Sequence, residues 1–199
     1  DFHWNGLGAY TSAQYIQQRL CAAGEIPADA VFSKDNIQLD VLSGSYLGDL
    51  NRRYSYLFPT DETVYELQPT FSDQLRYYLS IDESRPVERS SIVGNGSREA
   101  IMDYNSLYTQ NYGYYRIVNP AAPCRRNVIV LKDSYANPMI ECFAAVFSQL
   151  QVIDPRNYAE QPDIYQLIAD SECDLLLMLY NQNNCSEDLI RLFDPSLIR

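Results

Sequence analysis

The stretch Val128-Ile129-Val130-Leu131-Lys132-Asp133-Ser134-Tyr135-Ala136-Asn137-Pro138 decides the fold. Its first four residues are an apolar, β-branched run that reads as a strand buried on both faces. A polar corner follows at once. From Ala136 to Leu150, apolar residues at Met139, Ile140, Phe143, Ala144, Val146 and Phe147 recur at helical spacing, which predicts a helix over 136–150. Further on, Val152–Ile153 predicts a short strand closed by Asp154–Pro155, and Pro162–Ala169 a helix with proline in its first turn. Leu175–Leu179 reads as a continuous apolar strand and Glu187–Phe193 as a last helix. Strand, helix, strand, helix, strand with short links makes a doubly wound, mostly parallel sheet, a three-layer α/β/α arrangement covered on both faces.

Working towards the N-terminus, the signals thin out. Asn5 is placed to cap a helix whose inward positions are Tyr10, Ala13, Ile16, Leu20 and Ala23, with Gly24 as a left-handed stop. Residues 25–60 hold no sustained period, only turn clusters at Ser33–Asn36 and Ser43–Gly48. Val64–Leu67 predicts a short strand. Residues 80–99 are polar and rich in Ser, Arg and Gly, a loop long enough to suggest function or mobility. No repeat and no linker interrupts the chain, so 1–199 reads as one α/β domain. Residue 1 is Asp rather than Met, which leads us to expect a processed or excised piece of a longer chain.

Composition removes several classes of function. Of 199 residues, 46% are hydrophobic and 21% charged, enough apolar material for a sizeable core. With 15 Lys and Arg against 26 Asp and Glu, the net charge is −11, which repels a phosphate backbone and argues against nucleic acid as a partner. The longest apolar run, Leu175–Tyr180, is far short of the ~20 residues of a membrane-spanning helix. Five cysteines without a C-x-x-C pair and a single histidine speak against a zinc site, so no metal and no cofactor is expected. The 17 tyrosines suit either the edges of a core or a sugar-facing groove.

In a parallel sheet the ligand lies beyond the carboxyl ends of the strands. Ser134 sits there, at a strand-to-helix corner where backbone N–H groups can hold an oxyanion, although a Ser at this position is more often a plain helix cap. The G-x-S-x-G elbow is absent. A serine nucleophile needs a base, and His3 is the only histidine. In an extended segment Asp1 and His3 share a face, so the carboxylate can steady the imidazole; the other reading is a frayed terminal D-x-H. Lys132, Asp133, Tyr135 and Arg156 flank the site, with Arg156 either paired to Asp133 or facing a polymer.

D-x-H-W at the start of the chain, Tyr10 in the helix behind it and K-D-S-Y-A-N-P at 132–138 resemble the DHHW family of bacterial proteins. That family is similar to the alginate O-acetyltransferases, whose catalytic part is SGNH-hydrolase-like. Ser43–Gly44–Ser45–Tyr46 with Arg52–Arg53, Val93–Gly94–Asn95, and Val152 to Tyr158 follow in the expected order, while Phe2 stands where the family name implies His. The resemblance implies an SGNH-hydrolase-like domain lacking upstream strands, with Ser134 as nucleophile, His3 as base and Asp1 orienting the base. The Ser134 N–H would hold the oxyanion, with Gly94 and Asn95 as further donors, although G-N-G is also a plain turn. Tyr135 and Arg156 become candidate substrate contacts. It implies an extracytoplasmic protein, membrane-anchored at full length, that acts on a polysaccharide or acylated sugar and draws on a membrane-bound acyl donor. The expected function is therefore O-acetyl transfer or acetyl-ester hydrolysis on a cell-envelope polysaccharide. The alternatives are a non-catalytic carbohydrate-binding or scaffold domain with a decayed site, and a lipase-like esterase with an apolar acyl groove.

Overall fold

The structure, a computed structural model, describes residues 3–42, 45, 46, 48, 53–55, 57, 63–94, 101, 102, 104–159 and 162–184. Asp1, Asn95, the turn residues 43 and 44, and the helix expected over 187–193 lie outside them.

The elements run α1 (Gly6–Ala22), β1 (Ile37–Leu42), β2 (Ser45–Tyr46), β3 (Val64–Pro69), β4 (Arg76–Tyr78), β5 (Ile101–Met102) and α2 (Tyr104–Leu107). There follow β6 (Tyr114–Val118), β7 (Cys124–Lys132), a 3₁₀ turn over Ser134–Met139, α3 (Ile140–Ala144), β8 (Phe147–Ile153), α4 (Ile164–Asp170) and β9 (Leu175–Leu179). The main sheet has the order β4-β6-β8-β7-β9. β7 lies between β8 and β9 and is parallel to both; β6 is antiparallel to β8, and β4 antiparallel to β6. Four of the five strands therefore point the same way. Two small ladders, β1 with β3 antiparallel and β2 with β5 parallel, lie outside that sheet.

The pleat of β7 sorts its side chains between two layers. Val128 and Val130 pack in a cluster with Ala9 and Ala13 of α1 and with Ile140 and Phe143 of α3. Ile129 and Leu131 pack the other way, with Tyr114, Ile153 and Leu167 of α4. All four are 0% exposed, and each contributes roughly 1.5–3 kcal/mol by burial. This is the three-layer arrangement the strand-helix alternation implies.

α1 follows the expected pattern in its cap, in its stop and at Tyr10 and Ala13. Ala23, expected on the inward face, is exposed just past the helix end, and Ala9 and Gln17 are buried in the stripe instead. The Asn5 side chain accepts from the Gly8 N–H at 3.0 Å, and Gly24 beyond the helix has φ +77°. Small residues bring the helix close: a Cβ on Gly6 would sit 2.5 Å from the Tyr65 carbonyl oxygen of β3. The fully buried Gln17 donates to the Cys142 carbonyl at 3.0 Å and accepts from the Phe32 N–H at 3.1 Å, which fastens α1 to α3.

The helix expected over 136–150 is a correction. Pro138 has no N–H to donate, and the segment begins as a 3₁₀ turn, becomes α-helical at Ile140 and stops after Ala144. Val146 and Phe147 fit a helical face by spacing, but Phe147 opens β8, a strand buried on both faces, where an apolar run carries no period to distinguish it from helix. β1, β4 and β6 have no clear counterpart in the sequence reading. Among the described residues Cys21, Cys124, Cys142 and Cys173 are free thiols.

The loop beginning near residue 80 is tied down by charge. The Glu141 carboxylate of α3, 5% exposed, accepts from the Tyr77 hydroxyl at 2.7 Å and from Arg89 Nε and Nη2 at 2.8 and 2.6 Å. Burial, then the neighbouring carboxylate, raises the Tyr77 hydroxyl pKa and keeps it a donor. Glu141→Ala leaves these donors without their acceptor and is expected to cost about 3–5 kcal/mol, read as a lower urea midpoint.

Candidate active site

β7 delivers Lys132, Asp133 and Ser134 to the carboxyl end of the sheet, and Asp133 sets the corner. Its carboxylate is fully buried. One oxygen accepts from the Tyr135 N–H at 2.9 Å, capping the 3₁₀ turn. The other accepts from the Asn181 N–H and the Asn184 side-chain amide, both at 2.8 Å. The Asp133 N–H in turn donates to Leu179 O of β9 at 3.2 Å. Ser134 is thereby held on a rigid turn between two strand ends.

His3 arrives from 131 positions away, and its Nε2 lies 3.1 Å from Ser134 Oγ. Three aromatic residues hold it there. The Trp4 indole N–H donates to the Tyr135 carbonyl at 2.7 Å, pinning the segment ahead of α1 to the serine turn. The Tyr104 ring stacks on the imidazole with centroids 4.0 Å apart and planes 17° apart, while its hydroxyl donates to the Ser134 carbonyl at 2.5 Å. Tyr135 packs against the imidazole from another side, at 4.8 Å. Burial raises the Tyr104 pKa, so its hydroxyl stays protonated and donating. His3 and Ser134 are both half-buried, so the pair faces solvent on one side.

The remaining candidates fare differently. The Gly94 N–H donates to Tyr108 O at 2.9 Å and is thus committed away from an oxyanion. The glycine is needed instead for a close approach, since a Cβ there would meet the Ser106 carbonyl at 2.4 Å. The Tyr135 N–H is committed to Asp133. Arg156 pairs with Asp154 rather than Asp133, through Nε–Oδ1 and Nη2–Oδ2 contacts of 2.9 and 2.7 Å; its side chain stays 44% exposed. Asp1 and Asn95 lie outside the described residues. Among the described residues no three His, Cys, Asp or Glu side chains gather as metal ligands would.

Beneath the serine turn lies a buried cation that the sequence reading left without a role. Lys132 is 0% exposed; its Nζ donates to Asn137 Oδ1 at 2.7 Å and to Asn111 Oδ1 at 3.4 Å, and sits 3.8 Å from the buried Asp154 carboxylate. Burial lowers its pKa to about 8, against the opposing pull of Asp154. Between that value and the ordinary ~10.5 the unfolded chain binds a proton that the folded chain does not, so stability from this group rises with pH. Wild type is expected to gain up to about 3 kcal/mol relative to Lys132→Met between pH 8 and 10.5, measured by urea unfolding of both across that window.

Tyr104 and Asn111 escaped the sequence reading because each is a single residue in an unpatterned region, brought in by tertiary contact. The pocket beside His3, lined by Trp4, Tyr46, Val64, Leu107 and Tyr108 among others, has a volume of about 10 Å³. That is room for about one water-sized group and too small for a long acyl chain.

Comparison with known proteins bears on the fold. A structure of Bacillus cereus PatB1 with a sulfonyl adduct matches with a TM-score of 0.76 and 23% identity, over 96% of this chain and 61% of that one. A second PatB1 structure matches with a TM-score of 0.72 and 23% identity, over 92% and 61%. A DHHW family protein from Eubacterium siraeum DSM 15702 matches with a TM-score of 0.59 and 20% identity, over 90% and 57%. No family model matches the chain, and no curated protein matches it. The chain spans about three fifths of the length of the solved structures it resembles. At these identities the likeness is one of fold, an α/β architecture shared with PatB1 and with the DHHW family protein.

Proposed function

We propose that the chain is the catalytic part of a serine-dependent O-acetyltransferase or acetylesterase acting on a bacterial cell-envelope polysaccharide. The observation that carries the reading is the 3.1 Å approach of His3 Nε2 to Ser134 Oγ, in a chain with one histidine. The fold shared with PatB1, a protein solved with a sulfonyl adduct, and with a DHHW family protein supports it.

In the first half-reaction Ser134 Oγ attacks the acetyl carbonyl carbon and gives its proton to His3 Nε2. A tetrahedral oxyanion forms, for which the Ser134 N–H at the corner is the donor we assign. It collapses as the bond to the leaving oxygen breaks, and that oxygen takes the proton from His3. In the second half a sugar hydroxyl, or water, gives its proton to His3 and attacks the acetyl-serine; Ser134 leaves and recovers the proton. Asp1 is assigned the role of orienting His3 and steadying the imidazolium. A membrane-bound donor supplies the acetyl group outside the cytoplasm.

The test is release of nitrophenolate from 4-nitrophenyl acetate, with and without a polysaccharide acceptor. Turnover above that of Ser134→Ala, falling on acidification through the imidazole range, is expected. Acetyl recovered on sugar marks a transferase and acetate in solution an esterase. Wild-type turnover no greater than that of Ser134→Ala overturns the reading.

A further inference from the structure

Beside the serine turn opens a second cleft, of about 290 Å³, lined by Asn105, Gln110, Asn111 and Tyr112. We infer that it is a subsite for an uncharged sugar ring, with the Asn111 side-chain NH₂ as its fixed donor to a sugar hydroxyl or acetamido oxygen. The inference rests on the proposed function only in taking the substrate to be a saccharide.

The orientation of that amide follows from the inside outwards. A lysine ammonium can only donate, so Lys132 Nζ at 2.7 Å requires the oxygen of the Asn137 amide. Asn137, 1% exposed, must then turn its NH₂ away, and it donates to Asn111 at 2.9 Å. Asn111 must therefore present its oxygen inward, where it also accepts from Lys132 at 3.4 Å. Its own NH₂ is left on the outer side, and Asn111 is exposed. Two buried residues thus fix the direction of one surface donor, as a specific binding site requires.

The rest of the lining suits the same ligand. The Tyr112 hydroxyl donates to Ser91 O at 2.9 Å, which holds its ring, with the residue 38% exposed, as an upright wall. A rigid aromatic face beside amide groups matches the alternating apolar and hydroxyl faces of a sugar. Gln110 Nε2 is turned to the Asn105 carbonyl, which leaves its side-chain oxygen as an acceptor. None of the four lining side chains is charged, and the chain's net charge of −11 opposes a polyanion. The cleft is also fastened to the nucleophile's turn at both ends. Asn105 follows Tyr104, whose hydroxyl touches Ser134 O, and Asn111 holds Asn137, one 3₁₀ turn past Ser134 or about 6 Å along the axis.

The experiment measures binding in the Ser134→Ala chain, so that catalysis plays no part and failure of the proposed chemistry does not affect it. The probes are the β-1,4-linked trisaccharide of N-acetylglucosamine and trigalacturonate, each titrated by calorimetry and by amide NMR. The neutral trisaccharide is expected to bind more tightly than the anionic one. Asn111→Asp keeps an oxygen facing Asn137 and Lys132, replaces the outer donor by an acceptor and adds a negative charge beside Lys132. It is expected to weaken neutral-sugar binding by about three- to tenfold without lowering the melting temperature, and Tyr112→Ala to weaken it similarly. No binding of the neutral trisaccharide, no preference over trigalacturonate, or binding unchanged in both variants overturns the inference.

Discussion

Ser134→Ala is expected to lower turnover of an activated acetyl ester by a factor on the order of 10⁴ or more. His3→Ala is expected to cost nearly as much, and the double variant no more than either single one. The two residues perform one act: the hydroxyl is a weak nucleophile until the imidazole, 3.1 Å away, takes its proton. Once either is gone the other has no partner, so the losses do not add. What remains is the catalysis that binding and the oxyanion donor supply alone. Steady-state rates of the three variants against wild type, all with confirmed folds, measure this. Losses that multiply in the double variant would mean that Ser134 and His3 work independently.

A large loss of stability is also expected of Asp133→Ala. Its buried carboxylate accepts the Tyr135 N–H, the Asn181 N–H and the Asn184 amide, and the substitution leaves all three donors without their acceptor while removing a helix-type cap. A cost of about 3 kcal/mol or more follows, visible as a lower urea midpoint. Asp133→Asn can serve the Tyr135 N–H but then turns an NH₂ towards the other two donors, so it rescues only part. Because the same contacts set the corner, Ser134 should also lose activity in chains that remain folded. A midpoint within experimental error of wild type would mean that water replaces the carboxylate.

Elements with a strong pattern were legible in the sequence. α1 has its cap, most of its inward stripe and its left-handed stop within one stretch, and Val128–Leu131 within β7 and the whole of β9 are continuous apolar runs. β8 was partly misread because Val146 to Leu150 satisfies helical spacing as well as it satisfies a doubly buried strand. β4 and β6 are short and rich in Tyr and Arg, and they join the sheet through antiparallel pairing that no local signal announces. The site divides in the same way. Ser134 was legible from its corner and His3 from being the only histidine, although nothing short of tertiary structure brings residues 131 positions apart within 3.1 Å. Gly94, expected to lend its N–H to an oxyanion, has that N–H committed to the Tyr108 carbonyl, while Tyr135, expected as a substrate contact, packs against the His3 ring. Asn111 was not legible, since its role depends on a relay through Lys132 and Asn137 that exists only in the folded chain.

The central claim is that His3 activates Ser134 for attack on an electrophile, and covalent trapping tests it most directly. A sulfonyl fluoride loses fluoride to an activated serine, whose oxygen bonds to sulfur while the base takes the proton. Wild type treated with phenylmethanesulfonyl fluoride should gain the mass of one sulfonyl group, mapped by peptide sequencing to Ser134. Ser134→Ala should gain none, and His3→Ala should react far more slowly. Folded wild type left unmodified at Ser134, or modified equally fast without His3, would contradict the account.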